Sequence, residues 1–262
     1  MANEILLMKS IILFLFLALN YVTVISQTTD NDLPTWNAAK DKLATQDWLV
    51  KPVAAKAQVN TSADGKDIIL YNGLLKRTFR IQPNVACTDY KNMSNGQQLL
   101  RAVKPEARLT INGKEYNVGG LYGQKEQAYL LPGWVDGFTN DKNDFQFQSY
   151  SVADIQPFLK WQSRTWASSA KQPTGKMLAF IYTSNIAELK DLIVTVHYEL
   201  YDGIPLIVKW LSVENKSRQT CKLGKTVNEM LAFVEEESAV VGSPEQMKKQ
   251  HGIYVESNYA FN

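Results

Sequence analysis

The dipeptide Asn112-Gly113 constrains this chain more than any other two residues. Before it, Leu109 and Ile111 alternate with Arg108 and Thr110; after it, Tyr116 and Val118 alternate with Glu115 and Asn117. An Asn-Gly pair between two period-two runs predicts a β-hairpin closed by a type I′ turn. Both central residues of that turn need positive φ, which glycine adopts freely and asparagine tolerates. A second hairpin is predicted at Asp202-Gly203. Leu192, Val194, Val196, Tyr198 and Leu200 share one face of its first strand, and Leu206, Val208 and Trp210 continue on the return strand. Ile193, Ile207, Leu211 and Val213 make the opposite face apolar as well, as in a strand covered on both sides.

Further strands are expected at 67–71, 75–81, 145–152, 177–182 and 226–234. Helical signals are few. Thr35 can cap a short helix through Trp36, Ala39 and Leu43, and Ser243-Pro244-Glu245-Gln246 has the form of a capping box. Many strands, little helical period and no fixed repeat predict an all-β sandwich. The organisation expected is a signal peptide over 1–26, a lead with a short helix over 27–65 and the β domain over 66–262. Lys9 followed by the apolar run from Ile11 to Leu19 has the form of a cleaved export signal and is short for a membrane span. The protein is therefore expected to be secreted or periplasmic, without a stable membrane span. Apolar residues persist through 254–262, so a further domain is expected after them. Cys87 and Cys221 are either a bridge or two separate thiols.

The chemistry-bearing residues narrow the function. With 28 basic and 26 acidic residues the chain lacks the basic excess of a nucleic-acid binder. Two histidines, His197 and His251, give no metal-ligand cluster, and neither a nucleophile elbow nor a phosphate-binding glycine loop is present. No cofactor, metal or catalytic residue is expected from these patterns. His197, in mid-strand among apolar residues, is read as structural. Carboxylates in aromatic surroundings are Asp89, Asp136 and Glu199. The stretch 129–138 places Tyr129, Trp134 and Phe138 around Pro132 and Gly133 in a loop, and Trp161 and Trp166 flank Arg164. Rings in loops either stack on the C–H faces of sugars or fold back to cap the core. Tyr129, Trp134 and Asp136 are the candidate sugar-binding residues.

Several stretches, Tyr71-Asn72-Gly73-Leu74-Leu75-Lys76-Arg77-Thr78-Phe79-Arg80, then 99–107, Val118-Gly119-Gly120-Leu121, and 198–206 with Lys209-Trp210, occur in an order that resembles the N-terminal domain of bacterial α-galactosidase-like glycoside hydrolases of the melibiase type. The resemblance spans roughly residues 66 to 262. It implies a large β-supersandwich of the galactose-mutarotase-like kind, preceding a barrel that holds the catalytic aspartates. The expectation is a non-catalytic, carbohydrate-associated domain of a secreted glycoside hydrolase acting on α-galactosides, with an oligosaccharide or glycan and a C-terminal catalytic domain as partners. A free-standing carbohydrate-binding protein and a sandwich-fold mutarotase or lyase are the alternatives.

Overall fold

A computed structural model describes residues 33–126, 128–157, 173–233 and 256. Within them the chain is all-β, and every strand pairing is antiparallel. The first sheet runs in order through β1 (Gln58–Thr61), β2 (Asp67–Tyr71), β3 (Leu75–Arg80) and β4 (Ala86–Asn92). The other four-stranded sheet holds β8 (Gln146–Asp154), β9 (Gly175–Thr183), β10 (Leu192–Tyr201) and β11 (Ile207–Asn215), again in sequence order. Between them in sequence lie β5 (Leu100–Ala102), β6 (Ala107–Ile111) and β7 (Lys114–Val118). β6 pairs with β7 on one side and with β12 (Leu223–Val227) on the other, while β13 (Ala232–Phe233) pairs with β5.

The period-two pattern accounts for the core. Leu192, Val194, Val196, Tyr198 and Leu200 all point inward from β10, and Leu178, Phe180 and Tyr182 do so from β9. They meet Ile68, Leu70 and Phe79 of the first sheet in one cluster. Phe79 is its centre, with ring centroids 5.1 Å from Phe180 and 4.9 Å from Tyr198, in the tilted and edge-on geometries that aromatic quadrupoles favour. A smaller cluster of Ala86, Val103, Leu121, Val135 and Phe138 sits beside it. Phe138 is thus a capping ring, the inward of its two predicted roles.

The Asn112-Gly113 hairpin forms as the sequence predicts, with φ of 51° and 85° and Ile111 opposite Lys114. The second hairpin differs. Tyr201 N–H donates to Leu206 O, so the loop is longer than two residues. In the resulting register Val194 faces Val213, Val196 faces Leu211 and Leu200 faces Ile207. Ile207, Leu211 and Val213 therefore belong to the core face, and Val208 and Trp210 to the other, the reverse of the assignment read from alternation. Predicted strand 226–234 is interrupted after Val227, and the helix around Trp36 shrinks to a 3-10 turn at Ala38–Lys40, capped by Asn37 rather than Thr35. Thr35 instead bridges to Thr61, and Trp36 lies edge-on to Tyr71 at 5.0 Å, so the lead is tied down as sheet margin. Strands β1, β4 and β5 were not read from the sequence. Both thiols are free, Cys87 buried and Cys221 half-buried. Among the described residues no helix is long and apolar enough to cross a membrane. The export segment, Trp161, Arg164, Trp166, the 243–246 helix signal and His251 lie outside the described residues.

Candidate functional site

Three places gather polar chemistry, and the sequence candidates fall at one of them. Pro132–Gly137 forms a 3-10 turn, favoured by proline at its first position. Its Val135 is buried, and Trp134 rests half-buried on the smaller cluster. The outer face of Trp134 carries Lys125, whose ammonium lies 5.2 Å from the ring centroid. Tyr129 carries Arg101 in the same way, at 5.2 Å. Arg101 and Lys125 both line a cleft of about 1100 Å³, whose wall also includes Lys104, Arg108 and Glu229. Trp134 and Tyr129 are not themselves part of that wall; each lies behind a cation that is.

Asp136 does not join them. Its carboxylate accepts from Arg80 Nη1 at 2.6 Å and from Lys66 Nζ at 3.1 Å, on the side of the first sheet. Those two hydrogen bonds hold its pKa below the usual carboxylate range. Asp136 is a surface ion pair. The remaining aromatic-flanked carboxylate of the early candidates, Asp89, pairs with Lys76 at 3.3 Å and accepts from Gln98.

Beneath the cleft lies a buried polar cluster. Arg77 on β3 and Lys209 on β11 face Glu106 and Glu229, two cations against two carboxylates. Arg77 Nη1 is 3.0 Å and Lys209 Nζ 2.8 Å from Glu229. Glu106 accepts from the Cys87 amide at 3.0 Å and from the Tyr198 hydroxyl, with Lys209 Nζ 3.7 Å away. Burial alone would raise the pKa of Glu229, but Arg77 and Lys209 outweigh it and hold the value below normal. The Arg77 guanidinium also lies over Tyr198 at 4.7 Å and Tyr90 at 5.1 Å, although among the described residues its Nε has no hydrogen-bond partner. Arg77, Glu106, Tyr198 and Lys209 come from four separated stretches, so only register brings them together.

The third place is a pocket of about 720 Å³ beside the β10–β11 loop. Two loops build it. Asn72, in the β2–β3 turn, accepts from Leu74 and Leu75 amides at 3.0 and 2.9 Å and donates to Tyr201 O and Ile204 O, both at 2.7 Å. Asp202 reaches the other way, accepting from the Ala57 amide at 2.7 Å, Thr174 Oγ1 at 2.6 Å and Lys56 Nζ at 2.9 Å. Gly203 follows with φ of 70°, where an added Cβ would stand 2.9 Å from Val53 O, so only glycine suits both angle and space.

Glu199, one of the carboxylates singled out from the sequence, forms part of this pocket's wall and is only 1% exposed. It accepts from Tyr201 Oη at 2.8 Å and, at a long 3.4 Å, from Trp210 Nε1. Burial and then Glu199 itself push the Tyr201 phenol up to about 12, so Tyr201 remains a donor. Trp210 stacks flat on His197, centroids 3.5 Å apart and planes 7° off parallel. His197 Nε2 is 3.1 Å from Ser212 Oγ, and burial lowers the imidazole pKa to about 4. It is a packed, neutral ring at neutral pH, which agrees with its structural reading. Among the described residues no three His, Cys, Asp or Glu side chains converge as a metal site requires.

The candidates Tyr201, Thr174 and the Arg77–Glu106 cluster were missed. For Tyr201 a signal existed, since it lies two residues from Glu199 on the same strand face. Compared with known protein families, curated proteins and solved structures, the chain has no match in any of the three.

Proposed function

We propose that this chain is a β-supersandwich domain that holds carbohydrate without cleaving it, as part of an exported glycoside hydrolase acting on α-galactosides. The observation that carries the reading is the cleft lined by Arg101 and Lys125, two cations backed by the rings of Tyr129 and Trp134. Sugar recognition pairs hydrogen-bonding groups for hydroxyls with apolar surface for C–H groups, and the wall carries both, Arg101 and Lys125 beside Leu121 and Phe233. A groove beside two four-stranded sheets with one shared core is a rigid platform for such contacts. Asp136 has no part in it, because its carboxylate is committed to Arg80 and Lys66. The sequence resemblance adds the galactoside and the partner barrel.

The test is direct. The chain titrated with α-galactosides should show sugar-dependent quenching of tryptophan fluorescence, weakened in Trp134→Ala. It should leave nitrophenyl α-galactoside intact, whereas a longer chain carrying the barrel should hydrolyse it. Hydrolysis by the chain alone would reverse the non-catalytic assignment, and quenching unchanged in Trp134→Ala would remove the cleft from it.

A further inference from the structure

The lead before β1 holds two apolar side chains out in water. Leu49 and Val50 are neighbours in sequence and 75% and 83% exposed. Among the described residues no other large apolar side chain is exposed beyond the 51% of Leu131. Scattered exposed leucines are ordinary on a protein surface, whereas adjacent ones on a shaped support mark a contact.

The support is a tight turn within the unbroken described stretch 33–126. The Asp47 carboxylate accepts from the Leu49 amide at 2.9 Å, and its carbonyl accepts from the Val50 and Lys51 amides at 3.1 and 2.9 Å. Half-buried Trp48 stands beside the two side chains in sequence. Both flanks are tied to the body of the fold. Ala44 N–H donates to Met93 O at 2.8 Å, and Gly203 N–H donates to Ala55 O at 3.2 Å.

Charge around the tip is one-sided. From 40 to 56 the lead carries Lys40, Lys42, Lys51 and Lys56 against Asp41 and Asp47. Asp41 pairs with Lys76 at 2.8 Å and Lys56 with Asp202 at 2.9 Å. Lys42 and Lys51 are exposed and have no ion-pair partner among the described residues. Shape and charge together select the partner. A protein partner needs about 800 Å² from each side, far more than two projecting side chains on one turn supply. A lipid surface closes around a narrow apolar tip, and its anionic headgroups attract the lysines beside it.

We propose that the turn at 47–51 is a membrane-contact tip, with Leu49 and Val50 entering the acyl boundary of an anionic bilayer and Lys42 and Lys51 on its headgroups. Two side chains of this size make the contact peripheral and reversible. It stands independently of the carbohydrate reading.

Sedimentation of the full chain with vesicles tests it, using phosphatidylcholine alone and phosphatidylcholine mixed with phosphatidylglycerol. The chain should prefer the mixed vesicles and release them as salt rises. Leu49→Ser combined with Val50→Ser should weaken binding about tenfold or more, because both apolar groups stay in water. Lys42→Gln and Lys51→Gln should each weaken it about fivefold, the effect of one cation at an anionic surface. Leu131→Ser should bind as the unmodified chain does, and none of these exposed changes should lower the unfolding temperature. The apolar run at 11–19 can hold lipid by itself, so a local readout is added. Brominated phosphatidylcholine in the mixed vesicles should quench the fluorescence of the chain more than that of Trp48→Phe, and this quenching decides where the run carries most of the affinity. Equal quenching with and without Trp48, equal binding to the two kinds of vesicle, or no binding overturns the proposal.

Discussion

Two glutamates, Glu106 and Glu199, are buried to almost the same degree, at 2% and 1% exposure, and live in opposite surroundings. Glu106 faces inward, where Arg77 and Lys209 balance it and Glu229, and where a backbone amide and a tyrosine hydroxyl occupy its oxygens. Glu199, on β10, faces away from the shared core, with two neutral donors and a pocket beside it. One carboxylate is used up by the fold. The other is not. The difference teaches that depth of burial says little about role; the number of donors left unfilled says more.

The largest effect expected from this contrast is at Glu106. Glu106→Gln leaves Arg77 and Lys209 facing a single carboxylate inside the core. Breaking a buried pair in this way costs about 3–5 kcal/mol, so the urea midpoint of unfolding should fall steeply with little change in slope. A loss under about 1 kcal/mol, the worth of an exposed pair, would show that the cluster is wetter than its geometry implies. Glu199→Gln should behave oppositely. Its amide oxygen can still accept from Trp210, its NH₂ can donate to Tyr201 Oη, and a charge without a cation disappears. Stability should hold or rise by up to about 1 kcal/mol in the same titration, since replacing a poorly compensated buried charge is often neutral or better. If both variants lost stability equally, the distinction between the two glutamates would collapse.

The same contrast explains how far the sequence could be read. Alternation is local, so the Asn112-Gly113 hairpin, the core face of β10 and the strands at 67–71 and 177–182 were legible. The return strand β11 was assigned to the wrong face, because the facing of a strand after a turn depends on loop length, and the Asp202-Gly203 loop is held open by tertiary bonds to Ala57, Thr174 and Asn72. Strands β1 and β5 are short and β4 is polar along most of its length, so neither pattern nor propensity marks them. Glu199 was legible as a carboxylate among rings. Arg77, Glu106 and Lys209 were not, since no local pattern joins β3, the residue before β6, and β11. Trp134 and Asp136 share one turn, yet the turn sends them to different neighbours, a divergence that spacing cannot reveal.

A smaller effect sharpens the Glu199 side. His197 stacks on the Trp210 that reaches Glu199, and burial holds its pKa at about 4 against a usual value near 6.5. Between those values the unfolded chain takes up a proton that the folded chain refuses, so this histidine favours unfolding as pH falls from about 6.5 to about 4 and adds no further penalty below. Above about pH 6.5 it is neutral in both states and contributes no pH dependence. Thermal unfolding followed from pH 8 to 4 should show a decline in this window that is shallower in His197→Gln. Parallel profiles for the two proteins would mean that the ring protonates freely in place, and that the stacked pair is more open to water than its geometry indicates.

The smallest effect reports on the Glu106 side without altering it. The Cys87 amide donates to Glu106, and its thiol lies in the same enclosed space, where burial, ahead of the opposing pull of Arg77, pushes its pKa up to about 12. Only the thiolate attacks alkylating or disulfide reagents at an appreciable rate, so a thiol held this far above working pH and away from solvent should be silent. At pH 8 a thiol-specific reagent should react with the half-buried Cys221 in the native protein and reach Cys87 only in denaturant, giving one accessible group before unfolding and two after. Glu106→Gln should shorten the lag for Cys87, because a destabilised cluster opens more often, whereas Glu199→Gln should leave it unchanged. If Cys87 reacted as fast as Cys221 in the native state, the cluster around Glu106 would be open to solvent, and the contrast between a closed carboxylate and an available one would lose its closed half.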